Sequence, residues 1–341
     1  MRWPAALAAL VLVIAPQARV ERPRVVGFVS EHDVARGETW ASLAARSGVY
    51  PSTLARMNGL RVDKALKAGE RITIDARHIS PANPHGVSLL INVPQRLLFH
   101  CRDASLQAHF PIAVGKPDWR TPLGPFTVRE REENPTWDVP VSIQEEMRRE
   151  GNPVLTKVPP GPKNPLGKYW LGLTLPGVGI HGTNVPSSIY RSTTHGCIRM
   201  HPDDIASLFQ LVREGETGRA IYEPVLVAVT AEGDVYLEVH PDIYGRVPNM
   251  LDLAIDLLER AGAPAVSRED VKRVVAMRQG IAVMLDRELE PVVISFGSAV
   301  RVPGATLSPG DYLFVPGEAV AGQLVIDIYA MRAGGPEPVA S

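Results

Sequence analysis

Apolar positions along the chain change period three times. Between Ser30 and Ile74 a short strand (His32-Asp33-Val34) and a turn (Arg36-Gly37-Glu38) precede Trp40, Leu43 and Ala44. Their i, i+3, i+4 spacing predicts a helix opened by Thr39 and stopped at Gly48. Ser52 reads as the cap of a second helix carrying Leu54 and Met57 and ending at Asn58-Gly59. The turn Lys67-Ala68-Gly69-Glu70 then leads into the alternating strand Arg71-Ile72-Thr73-Ile74. From Val87 the period falls to two, predicting strands at Ser88–Val93, Arg96–Cys101, Ala108–Val114 and Gly124–Arg131. A charged surface helix (142–150), a proline-rich loop (151–168) and a strand at Trp170–Leu175 follow. Beyond Glu223 come a hairpin (Val225–Thr230, Val235–Val239) and helices over 249–260 and 267–279, the latter opened by Ser267-x-x-Asp270. Gly/Pro-punctuated strands complete the last sixty residues, and the polar stretches 20–29 and 76–86 read as linkers.

Composition sharpens this. The 29 glycines and 31 prolines exceed the average usage of ~7% and ~5%, favouring a loop-rich, strand-rich protein over a helical bundle. A formal charge of −1 removes the basic footprint of a nucleic-acid binder. Arg2 followed by the apolar stretch Trp3–Ile14 is too short to span a bilayer but suits a signal peptide over residues 1–18, so the mature protein is expected in the periplasm or cell envelope with no integral membrane span. Only two cysteines are present, too few for a disulfide scaffold or a four-thiolate zinc site.

One of them, Cys197, sits in Thr193-Thr194-His195-Gly196-Cys197-Ile198-Arg199-Met200, downstream of Gly179-Ile180-His181-Gly182-Thr183-Asn184. Glycine beside the thiol lets backbone amides approach a ligand, and amides of such a turn stabilise an oxyanion. His181, arriving from a separate strand end, can serve the sulfur as a base, a Cys–His nucleophilic arrangement. Competing readings are a buried structural thiol, a disulfide with Cys101, and a zinc site formed with His181 and His195, although the spacing matches no zinc pattern. HExxH and GxSxG do not occur. Cys101, in the apolar run Leu97-Leu98-Phe99-His100-Cys101, reads as a buried thiol, with a redox switch toward Cys197 as the alternative.

The two segments around His181 and Cys197 closely resemble the signature of the L,D-transpeptidase catalytic domain. The likeness extends upstream to Thr121–Val128, Asn134-Pro135-Thr136-Trp137 and Pro159–Gly167, and downstream to Glu238–Tyr244. The N-terminal unit resembles a LysM module in Val34…Gly37-Glu38-Thr39, Leu43-Ala44, Leu54, Asn58 and Leu66…Gly69-Glu70…Ile72. The expected fold is therefore mostly β: a LysM module of βααβ order (30–75), a linker (76–86), an L,D-transpeptidase-type β-sandwich (87–245) and a small α+β extension (246–341).

The resemblance implies Cys197 as nucleophile and His181 as base, with the amides of His195, Gly196 and Cys197 lining the oxyanion hole and Thr194 orienting the site. It places Arg199 at a substrate carboxylate or as a loop buttress, and puts Gly182 and Thr183 among the substrate-binding residues. It implies acyl transfer on peptidoglycan tetrapeptide stems through a thioester, with release of D-Ala and no metal or organic cofactor. The acceptor is an amine of another stem, of a D-amino acid or of an envelope protein, and glycan is held by the LysM module. Water as acceptor would make an L,D-carboxypeptidase, and loss of catalysis a LysM wall-binding protein.

Overall fold

The computed structural model of the chain describes residues 22–103, 105–286, 292–296, 298–302, 305–316, 326–332 and 335–340. The expected signal peptide lies outside the described residues.

In the LysM unit, strands Val29–Asp33 and Arg71–Asp75 pair antiparallel around helices α1 (Trp40–Ser47) and α2 (Pro51–Met57). Thr39 and Ser42 form a reciprocal capping box at the start of α1, and Gly48 ends it in the left-handed region at φ +69°. The second helix begins two residues earlier than its polar cap, Ser52, suggests. Pro51 opens it and Tyr50 stands at the cap position without a side-chain cap, because the Tyr50 ring is buried against Tyr190 and His240.

Among the described residues, nine strands form one sheet, in the order Ser192–Thr194, Ser105–Gly115, Ile198–Met200, Gly179–His181, Tyr169–Leu173, Gly124–Glu133, Thr217–Ile221, Leu89–Asn92 and Leu97–Arg102. Its last strand also pairs with the eleven-residue Ser105–Gly115, so the sheet curls back over its own core. Leu89, Ile91, Phe126, Leu171, Ile180 and Ile198 fill that core. Helix α3 (Val141–Arg149) lies in the long excursion between strands Gly124–Glu133 and Tyr169–Leu173, and α4 (Pro202–Leu211), which the pattern did not announce, follows the cysteine segment.

The hairpin Val225–Val229/Val235–Val239 stands outside the nine-stranded sheet. It shares a core with helices α5 (Met250–Arg260) and α6 (Arg268–Met277), so residues on both sides of 245 pack as one unit. Farther on, Val292–Phe296, Gly310–Pro316, Ile326–Arg332 and Gly335–Ala340 form an antiparallel sheet.

Neither polar stretch beside the LysM unit is a free linker. His78–Ser80 pairs antiparallel with Arg24–Val26, and Ile79 packs on Leu226, Ala228 and Ala282. Burial of one apolar side chain and the polar partners found for its neighbours outweigh the local loop composition. The LysM unit is also packed on the catalytic sheet: Ala45 and Tyr50 share a cluster with Leu97, Phe99, Ile189 and Tyr190.

Candidate active site

Strand Gly179–His181 runs parallel to Ile198–Met200, with Ile180 opposite Ile198 and His181 opposite Arg199. Side chains alternate along a strand, so His181 and its partner Arg199 belong to one face, and Cys197 immediately precedes the second strand. Parallel pairing is what brings both signature segments side by side within the sheet.

The turn before Cys197 is fixed from several sides. Thr194 Oγ1 donates to Cys197 O at 2.6 Å and accepts from Gly196 N at 3.2 Å. Gly196 adopts φ +107°, a conformation L side chains rarely take, and its carbonyl accepts from Thr121 Oγ1 at 2.9 Å. Thr121 Oγ1 in turn accepts from Gly115 N at 2.9 Å. Tyr244 Oη donates to Gly115 O at 2.9 Å and accepts from Thr121 N at 3.0 Å. Thr194, expected to orient the site, is buried at the centre of these bonds.

The Cys197 sulfur lies 3.6 Å from Gly177 O and borders a cleft of about 460 Å³ whose walls include Glu130, Trp137, Leu166 and Trp170. Burial pushes the thiol upward, against smaller opposing effects from the Gly179 backbone and the Arg199 charge. His181 is buried, and its Nδ1 lies 2.7 Å from Gly182 O. A carbonyl can only accept, so Nδ1 carries the proton and Nε2 keeps its lone pair. Burial, reinforced by the positive charge of Arg199, drives this imidazole down to about 3. Thiol and imidazole are therefore both neutral at neutral pH.

Trp170 stacks on His181 with centroids 5.9 Å apart, and its Nε1 donates to Glu130 Oε1 at 3.2 Å. A Cβ on Gly179 would fall 2.3 Å from the Trp170 ring, so the stack requires glycine there. Arg199 donates from Nη1 to Ser188 Oγ at 3.1 Å, while its Nε is buried without a partner among the described residues.

Other expected site residues lie elsewhere. His195 turns to α3, where Nε2 meets Glu146 Oε2 at 2.5 Å and Trp119 stands edge-on at 4.9 Å. Lys116 Nζ holds the other Glu146 oxygen at 3.0 Å. Gly182 and Thr183 are buried rather than part of the cleft wall. A Cβ on Gly182 would meet Leu166 O at 3.2 Å, and Thr183 Oγ1 accepts from Val185 N at 3.0 Å, so both support the strand end carrying His181. The Gly196 amide, expected among the oxyanion donors, is bonded to Thr194 Oγ1 at 3.2 Å. No group of three or more His, Cys, Asp or Glu side chains suited to a metal occurs among the described residues, and Cys101 and Cys197 are not joined.

Sequence reasoning assigned no role to Trp170, Glu130, Glu146 or Lys116. Glycine in a strand interior marks close approach of another group, and Gly172 and Gly179 were such a signal: a Cβ on Gly172 would fall 2.4 Å from Glu130. Nothing local announces Glu146.

Comparison with known proteins agrees with this geometry. The family profile of the L,D-transpeptidase catalytic domain matches residues 86–227, and that of the LysM domain matches residues 32–75. YkuD of Bacillus licheniformis, a protein bearing the L,D-transpeptidase name, is 31% identical over 184 residues, spanning 54% of this chain and 94% of its own. YbiS of Escherichia coli K12, similarly named, is 29% identical over 232 residues (64% of this chain, 74% of its own). ErfK/SrfK of the same organism is 34% identical over 178 residues (51% and 56%). The chain belongs to the L,D-transpeptidase family and carries a LysM domain ahead of the catalytic one.

Proposed function

We propose that this chain is an exported L,D-transpeptidase in which Cys197 is the nucleophile and His181 its general base. The observation that carries the reading is the parallel pairing of Gly179–His181 with Ile198–Met200, the strand that Cys197 immediately precedes, together with the His181 tautomer set by Gly182 O. Because both groups are neutral at neutral pH, the thiol proton passes to His181 Nε2 as sulfur attacks, rather than from a thiolate formed beforehand. The attacked carbonyl is that of the L-centre of the diamino acid in a tetrapeptide stem. Its oxygen becomes an oxyanion facing the amides of His195 and Cys197, where one such donor typically contributes ~3–4 kcal/mol. Collapse expels D-Ala, which takes the proton from His181, and leaves a thioester. An acceptor amine then attacks, gives its proton to His181 and releases the thiol.

Glu130, Glu132 and Asp138 outnumber Arg129 in the cleft wall, which favours an amine over water as acceptor, because negative charge raises the local concentration of ammonium groups, which attack once they have shed a proton. Export is supported by Arg2 and the apolar stretch Trp3–Ile14. Glycan held by the LysM domain raises the stem concentration at Cys197.

The test is mass spectrometry of the mature protein and its Cys197→Ala variant incubated with disaccharide-tetrapeptide. Loss of D-Ala with a dimer product, abolished in the variant, is expected. A tripeptide product would move the assignment to the carboxypeptidase, and D-Ala loss unaffected by Cys197→Ala would remove the thiol mechanism.

A further inference from the structure

A second groove, of about 400 Å³, lies on the LysM domain and is not made by that domain alone. Trp40, Pro51, Asp63, Lys64 and Leu66 line it, and the catalytic domain adds Arg191. Trp40 Nε1 donates to Lys64 O at 2.8 Å, which ties the loop after α2 to the start of α1 and gives the groove a fixed wall. Its carboxylates are already engaged. Glu38 binds His32 Nε2 at 2.7 Å and Ala35 N at 2.8 Å, and Asp63 is held by Arg61 at 3.0 and 2.7 Å. Lys64 and Arg191 enter no ion pair among the described residues, so they are the cations in the groove wall open to an anionic ligand.

The backbone at Arg191 is held in place by its neighbours, and its side chain is exposed. Tyr190, at φ +63°, buries its ring against Tyr50 of the LysM domain, with centroids 5.1 Å apart. The Arg96 guanidinium lies 5.2 Å from the Tyr50 ring and 5.8 Å from that of Tyr190, and its Nε donates to Ser192 Oγ at 3.2 Å. Arg191 O accepts from Val114 N at 3.0 Å. From Arg191 the strand Ser192–Thr194 runs directly into the turn bearing Cys197.

We propose that Arg191 completes a composite site for carboxylate-bearing glycan. The sugars lie on the LysM walls, and the planar guanidinium takes a carboxylate, a geometry that two parallel N–H donors match. The chain then distinguishes peptidoglycan from a neutral N-acetylglucosamine oligomer, which the LysM walls alone would not. This rests on the assignment of glycan to the LysM domain made above, and not on the acyl-transfer chemistry.

The experiment is calorimetric titration of the whole mature chain carrying Cys197→Ala, which prevents turnover. Its ligands are N-acetylglucosamine hexamer, stem-bearing glycan strands of similar length, and the same strands stripped of stems by an amidase. Binding of stem-bearing strands at least tenfold tighter than of the hexamer is expected. Adding Arg191→Ala should erase that preference while hexamer affinity stays within twofold, and Arg191→Lys should restore part of it. Amidase cleavage removes the stem carboxylates and frees the lactyl carboxylate of the sugar from its amide: Arg191-dependent binding lost there assigns the contact to a stem carboxylate, and binding retained there shows that the guanidinium also takes a carboxylate carried by the sugar. Equal weakening of hexamer and strands by Arg191→Ala, or a preference that survives it, overturns the proposal. A protein with cysteine-dependent turnover but no hexamer binding would remove the glycan assignment and the proposal with it. Discrimination without turnover would remove the transferase reading alone.

Discussion

Glu238 is the buried carboxylate on which three units of the protein converge, and its removal should be felt far from any catalytic group. One oxygen accepts from His78 Nδ1 at 2.9 Å, His240 Nε2 at 2.8 Å and Gln95 Nε2 at 3.1 Å, and the other accepts from Ile79 N. His240 Nδ1 meets Tyr50 Oη at 2.9 Å, so the network reaches α2 of the LysM domain. Burial pushes the carboxyl up, but the two histidines and their hydrogen bonds outweigh it and hold it at about 2, against 4.5 for a free glutamate. Because the folded value lies below the unfolded one, the stabilisation is fully present above roughly pH 5 and is lost as pH falls toward 2. A difference of this size corresponds to about 3 kcal/mol. Glu238→Gln keeps the shape but turns an N–H₂ toward donors, and should cost about 3 kcal/mol at pH 7; Glu238→Ala should cost ~3–5 kcal/mol. For a chain of 341 residues that is a fall of roughly 4–7 °C in Tm. Thermal unfolding of wild type and Glu238→Gln at pH 7, 5 and 3.5 is the assay. The gap should be full at pH 7 and shrink by pH 3.5. A gap independent of pH, or a variant as stable as wild type at pH 7, would refute the reasoning.

Gly179→Ala should lower acyl-enzyme formation at least tenfold by displacing Trp170 from His181, and adding Trp170→Ala should recover stability, read by thermal melting, by relieving the 2.3 Å overlap. Because burial raises the Cys197 thiol, its alkylation by iodoacetamide should climb with pH beyond the ordinary thiol range, with no plateau near neutrality; a plateau below pH 7 would indicate a thiolate already formed. Replacing His181 by Gln should slow thioester formation by ~10²–10⁴-fold, measured by mass spectrometry of the acylated protein, with little change in fold. Glu146→Gln should free α3 from His195 and Lys116, so tryptic cleavage after Arg148 and Arg149 should accelerate several-fold; an unchanged rate would show that other contacts hold the helix.

What was legible in the sequence was whatever is encoded within a few residues. Thr39, Gly48, Asn249 and Ser267 mark helix ends by local bonding, and each does so in the structure. The cluster from His181 to Arg199 is a local motif as well, and its two segments pair side by side within the sheet. Partners chosen by tertiary packing were not legible. Tyr50 meets a histidine 190 positions away, and His78 meets a glutamate 160 positions away. Those two stretches therefore read as a helix start and a linker. His195 illustrates the limit inside the motif, since its sequence neighbourhood points at Cys197 while its nitrogen bonds Glu146, 49 residues upstream. Gly182 and Thr183 belong to the same lesson: a motif position tells which residue is needed, and packing decides whether it faces the cleft or supports the strand behind it.

The pairing of Arg24–Val26 with His78–Ser80 makes the LysM domain a bead threaded on a hairpin rather than a flag at the end of a tether. Its incoming and outgoing chains lie side by side, and a two-residue turn is enough to join antiparallel strands. Cutting the bead out would thus leave no gap to bridge. It would instead strip the cover from Tyr190 and Ile189, on the segment that leads to Cys197, and bare an oily patch there. The domain is easy to remove as covalent chain and hard to remove as packed surface, so swapping in another LysM bead with the same underside is the better way to redirect which wall the enzyme grips.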